Sequence, residues 1–163
     1  MARWLALSAL IVVVDQLTKY AAVKYLAAGS IEVTSFFNLV LAYNSGAAFS
    51  LLADAAGWQR GLFIGIALVA VAWIVYLLRR YPHQRLFALA LSLVLAGAVG
   101  NVIDRILIGS VVDFLDFHAF GKHWPAFNVA DSAITCGAVL LVWDVLRPQQ
   151  PAAVSPQIDA EKR

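Results

Sequence analysis

Four stretches of this chain are apolar enough to cross a bilayer as helices, which takes roughly 20 residues each. The first runs from Trp4 to about Ala28. The second, Leu62 to Leu78, has no charge at all. The third runs from Leu86 to about Ile108, and its far end carries Asn101, Asp104 and Arg105. The fourth starts near Asp131 and ends near Val145; its short uncharged core suits a tilted helix or a locally thinned bilayer. A chain of 163 residues is long enough for one domain and no more, so one membrane domain over residues 1–147 is predicted. Composition agrees: 62% of residues are hydrophobic and 13% charged, where a soluble domain is nearer half and a quarter. A net charge of +2 points to no nucleic-acid partner. One cysteine, Cys136, rules out an intrachain disulfide and a CxxC metal site, and its apolar run predicts a buried thiol. The Pro- and Gln-rich tail, 148–163, is predicted to be disordered.

Lys and Arg counts orient the spans. With a cytoplasmic N-terminus, Arg3, Arg79, Arg80, Arg85, Arg147, Lys162 and Arg163 lie inside, and only Arg60 and Lys122 lie outside. Both termini are therefore expected inside and the two longer loops outside. Trp58 and Trp124 would mark the outer interface, and Trp4 and Trp143 the inner one. A cleaved signal peptide ending at Ala27-Ala28-Gly29 is the competing reading of span one, but Asp15 and Lys19 interrupt its apolar region. The first outer loop, Gly29 to Gln59, alternates at Ile31-Glu32-Val33-Thr34 and predicts a short β segment on the membrane surface. The fold class is thus an all-α, four-span membrane protein with a small extended element outside.

Charges at membrane depth are costly, so each is a candidate functional group. Asp15 and Lys19, four apart on span one, share a helix face, and mutual neutralisation explains them at least as well as catalysis. Asn44-Ser45-Gly46-Ala47-Ala48-Phe49 reads as a turn, or as a loop where Asn44 donates to a substrate carbonyl. In Gly97 through Arg105, the small residues permit close helix approach. Asn101 and Arg105 share a face and could grip carbonyls or an ester, with Asp104 orienting Arg105. Asp113 sits between Val112 and Phe114, and Asp131 opens span four after Phe127-Asn128-Val129-Ala130. If the loop folds back, two carboxylates sharing a proton can hydrolyse a peptide: one activates water and the other protonates. Asp131 falls where the helix dipole favours an anion, so it is expected to carry more of the charge. Asp116, His118 and His123 could in principle bind a metal, although solvated histidines are the simpler reading. Two rival functions stand beside peptide hydrolysis: a small transporter using Asp15, Lys19 and Asp104 as a relay, and a zinc peptidase using Asp116, His118 and His123.

Taken in order, these segments resemble the lipoprotein signal peptidases, bacterial inner-membrane enzymes also called signal peptidase II. The resemblance runs from Asp15 to about Arg147. It departs at Ala98 and Ser50, where the family often has glycine. It implies an aspartic endopeptidase that removes signal peptides from prolipoproteins, cutting before a cysteine that already bears diacylglycerol. It places the catalytic pair on Asp113 and Asp131. It places the substrate site on Asn44, Gly46, Asn101, Arg105 and Asn128, with Asp15, Lys19 and Asp104 supporting. It implies no metal or other cofactor, blockage by the cyclic peptide globomycin, contact with membrane lipid, and a monomer whose site faces the periplasm.

Overall fold

The computed structural model describes residues 1–46 and 58–147. The expectations for Ala47-Ala48-Phe49, Ser50, Lys162, Arg163 and the 148–163 tail fall outside the described residues. Within them, all four expected spans form helices long and apolar enough to cross a membrane. They are α1 (Ala2–Tyr25), α2 (Trp58–Arg80), α3 (Arg85–Leu107) and α4 (Val129–Leu146). Helix α2 begins four residues before the uncharged run, because Trp58, Gln59 and Arg60 are good interface residues that helix tolerates. Helix α1 stops at Tyr25, short of the expected Ala28, with Leu26 as its C-cap.

Helix α3 is the central element, packed by α1, α2 and α4. It buries Ala88, Leu91 and Leu95 against Ile74 and Leu78 of α2. The outward faces of the other helices stay apolar and uncovered, as at Val69, Trp73, Val142 and Val145, which suits lipid as solvent. The Trp4 indole donates to the Pro82 carbonyl at 3.0 Å, so the N-terminus and the α2–α3 turn lie at the same end. Gly97 brings α3 against α4: a Cβ there would meet the Ala130 carbonyl and the Ile134 side chain. Gly100 does the same for α1, where a Cβ would meet the Asp15 carboxylate.

At the opposite end the two longer connections form one antiparallel sheet in the order β1 (Ile31–Thr34), β2 (Phe37–Asn44), β3 (Val111–Ala119) and β4 (Lys122–His123). This is more β structure than the single short segment expected in the first loop. The second loop contributes a nine-residue strand, Val-Val-Asp-Phe-Leu-Asp-Phe-His-Ala, rich in branched and aromatic residues that suit a pleated surface. Strand β2 pairs with β3 as Leu39 with Leu115, then slips so that Ala42 faces Asp113 and Asn44 faces Val111. The slip is a β-bulge, a device that re-aims side chains beside sites. On its other side β3 receives Phe127, whose carbonyl accepts from the Phe114 and Leu115 amides at 3.0 and 2.9 Å. Cys136 is exposed, not buried as expected: its position on α4 turns it away from α3.

Candidate active site

Phe127 docked on β3 delivers the next residue, Asn128, to the carboxylate of Asp113. Asn128 is the N-cap of α4 and closes a capping box: its Oδ1 accepts from the Asp131 amide at 2.9 Å, and Asp131 Oδ2 accepts from the Asn128 amide at 3.3 Å. With its oxygen so occupied, the Asn128 NH2 turns to Asp113 Oδ1, 2.7 Å away. One buried amide residue therefore holds both aspartates. The sheet and the fourth helix meet at that residue, which is how positions distant in the loop come together.

Each aspartate has a second amide. Asn44 Nδ2 donates to Asp113 Oδ2 at 3.3 Å, across the bulged part of the β2–β3 pair. Asn101 Nδ2 donates to Asp131 Oδ1 at 2.8 Å from α3. Burial pushes the Asp113 carboxyl up to about 7, and the neighbouring Asp131 charge pushes the same way; hydrogen bonds from Asn44 and Asn128 and the Lys19 charge only partly oppose them. A carboxyl there holds a proton in neutral water part of the time, which general-acid chemistry requires.

Beneath the pair lies a buried charge cluster. Lys19 Nζ sits 2.9 Å from Asp15, 2.8 Å from Asp104 and 3.0 Å from Asn101 Oδ1. Asp15 also accepts from the Ala130 amide at 2.8 Å, tying α1 to the first turn of α4. Asp104 accepts from the Val112 amide at 3.2 Å, tying α3 to β3. The expected role of Asp104 in orienting Arg105 does not hold: Asp104 turns to Lys19, because adjacent residues on a helix do not face each other. Arg105 instead donates to the Gly46 carbonyl at 3.1 Å and the Asn101 carbonyl at 3.4 Å, with its guanidinium 5.2 Å from the centre of the Phe63 ring. Gly46 in turn is held by its amide on Asn44 Oδ1 at 3.0 Å.

Gln16, beside Asp15 on span one but not among the expected site residues, donates its amide to Asp104 at 2.9 Å and approaches Asp15 at 3.2 Å. An amide inside an apolar helix, beside Asp15, was the available clue. All ten expected residues thus fall into one connected network. Asn44, Gly46, Asn101, Arg105, Asp113 and Asp131 line a cavity of about 800 Å³, whose other wall is apolar and includes Phe127 and Ile134.

Asp116 and His123 belong elsewhere. Asp116 pairs with His123 Nδ1 at 2.9 Å and accepts from Asn38 at 3.1 Å, on the outer sheet. Burial raises its carboxyl, but these hydrogen bonds and the His123 and His118 rings outweigh it and hold the group below its usual range. His118 stacks on His123, with ring centres 4.9 Å apart. Among the described residues, no three His, Cys, Asp or Glu side chains converge on a point where a metal could bind.

The family model for signal peptidase (SPase) II matches residues 7–147. A lipoprotein signal peptidase of Burkholderia thailandensis is 57% identical over 148 residues, covering 90% of this chain and 89% of that one. A lipoprotein signal peptidase of Cupriavidus necator is 61% identical over 145 residues, covering 88% of this chain and 83% of that one. Two bacterial membrane enzymes solved by the in meso method superpose with TM-scores of 0.81 and 0.80. The first is 31% identical and covers 93% of this chain and 95% of its own; the second is 33% identical and covers 91% and 96%. On that match across nearly all of its length, the chain belongs to the signal peptidase II family.

Proposed function

We propose that this protein removes signal peptides from diacylglyceryl-modified prolipoproteins, cutting before the lipidated cysteine, with Asp113 and Asp131 as the catalytic pair. The observation that carries the assignment is the shared Asn128, which holds both carboxylates at the wall of one cavity. One carboxylate, ionised, takes a proton from water as the water oxygen bonds to the scissile carbonyl carbon. The other, protonated, gives its proton to the carbonyl oxygen. The resulting tetrahedral diol collapses as a proton passes to the amide nitrogen and the C–N bond breaks. No covalent enzyme intermediate is needed, and the proton returns to the pair.

Arg105, with Asn44 and Gly46 beside it, is suited to bind the substrate's carbonyls at the cavity mouth. Asn101 and Asn128 set the aspartates. The apolar wall suits lipid chains and signal-peptide side chains. The Lys and Arg distribution supports a cytoplasmic membrane location with both termini inside and the sheet in the periplasm. Because one chain supplies every group, a monomer suffices. Globomycin, a cyclic peptide, is expected to compete for the same cavity.

The test uses purified protein and a diacylated precursor. Asp113→Asn and Asp131→Asn should each lower cleavage on the order of a thousandfold or more, and the double variant should be no worse, because groups acting as a unit are not additive. The wild-type rate should fall on both sides of its pH optimum, as the pair becomes doubly protonated or doubly ionised. Substantial cleavage by either single variant rejects the pair.

A further inference from the structure

We infer that Lys19 is a positioning residue that selects Asp131 as the ionised member of the pair, by fixing the orientation of the Asn101 amide. The inference rests on the catalytic reading of Asp113 and Asp131 and assigns their roles. Amide oxygen and nitrogen look alike, so their placement must come from chemistry. An ammonium can only donate. The Asn101 atom 3.0 Å from Lys19 Nζ is therefore the oxygen, and the NH2 is the group that faces Asp131 at 2.8 Å. Without Lys19, only the longer contact from Asn128 Nδ2, at 3.3 Å, holds that oxygen, and the amide is freer to turn over and present its oxygen to a carboxylate, which repels an anion.

Neutralisation does not explain this contact. Lys19 already faces two carboxylates, Asp15 on its own helix and Asp104 on α3. Its third bond goes to a neutral oxygen, Asn101 Oδ1, which also accepts from Asn128 Nδ2 at 3.3 Å and whose NH2 reaches Asp131. Hydrogen bonds in a chain polarise one another, so an ammonium on the oxygen makes the NH2 a stronger donor. Asp131 gains a second preference for charge from its place in the first turn of α4. Asp113, on β3, has neither the ammonium relay nor the helix terminus. It accepts from Asn44 and Asn128, whose own oxygens are occupied by the Gly46 and Asp131 amides. Asp131 is thus built to take the proton from water and Asp113 to give one to the substrate. The charged groups facing this relay are Asp15 from α1, Asp104 and Arg105 from α3, Asp113 from β3 and Asp131 from α4.

The measurement is the pH profile of kcat/KM for a diacylated precursor with Lys19→Met, a neutral side chain of similar length. The rate should fall about ten- to a hundredfold, as for other outer partners of reacting groups. The acid side of the profile should move to higher pH by about one unit, because ionised Asp131 has lost its relay. A folded variant whose acid side stays in place overturns the inference, whatever its rate, since damage to packing lowers the rate without moving the profile. If Lys19→Met does not fold, Asn101→Asp decides. It keeps an acceptor for Lys19 and removes the NH2 facing Asp131, so the same loss and the same displacement are expected, and an unmoved acid side overturns the inference. Cleavage by Asp113→Asn or Asp131→Asn would instead reject the catalytic pair itself, so the two failures are distinguishable.

Discussion

Single side chains at this site are set by how many partners they satisfy at once. Arg105 reaches two carbonyls, Gly46 and Asn101, while its flat face covers Phe63. A lysine has one compact ammonium and no such face. Arg105→Lys should lose one charge-assisted hydrogen bond, about 1.5–3 kcal/mol, or about ten- to a hundredfold in cleavage. Full activity with that variant reduces Arg105 to an interface anchor. Asp113 carries a second residue-level consequence. Its folded carboxyl sits at about 7, above an unfolded value of about 3.9. Between those two values the folded state binds more protons than the unfolded one, so stability falls as pH rises, and the loss is complete above pH 7. Asparagine does not titrate. The Tm of Asp113→Asn in detergent, relative to wild type, should therefore be higher at pH 8 than at pH 5, and an equal difference at both would contradict the cause. What the sequence could reveal of this network was the membership, because lipid makes every buried polar residue conspicuous. Its pairings were less legible. Asp104 was expected beside Arg105 and lies on Lys19, since side-chain direction on a helix depends on neighbours in space.

The elements differ in how much of their geometry is local. Spans are legible from length and apolarity alone, and all four form. The sheet was half legible: alternation marked β1, but β3 alternates weakly and pairs across the chain with a register slip, which no local pattern encodes. Helix packing rests on positions where a side chain is missing. Alanine suffices to test this. At Gly97 a Cβ would press on the Ala130 carbonyl, which is backbone and cannot yield cheaply; overpacking of this kind costs about 1–3 kcal/mol. Gly97→Ala should lower Tm and, by shifting the first turn of α4, lower cleavage too. Gly65→Ala on α2 has open space around its Cβ and a better helix former, so its Tm should hold or rise. Equal behaviour of the two variants would remove the close α3–α4 contact from the explanation.

Across the whole molecule, the site is an intersection rather than a segment. Helix α1 contributes the ammonium, β2, α3 and the N-cap of α4 the amides, β3 one aspartate and α4 the other. Such convergence explains why motifs far apart in the chain read as weak individually and as specific together. It also has a bearing on biogenesis. The Asp15 carboxylate caps an amide 115 residues further along, at the head of the last span. A ribosome-bound chain that has already threaded three helices still lacks Asn128, Asp131 and the clamp that seats them. On the proposed chemistry, a chain that has inserted only α1, α2 and α3 is inert, and it becomes a protease only when α4 enters the bilayer and closes the circuit begun by α1.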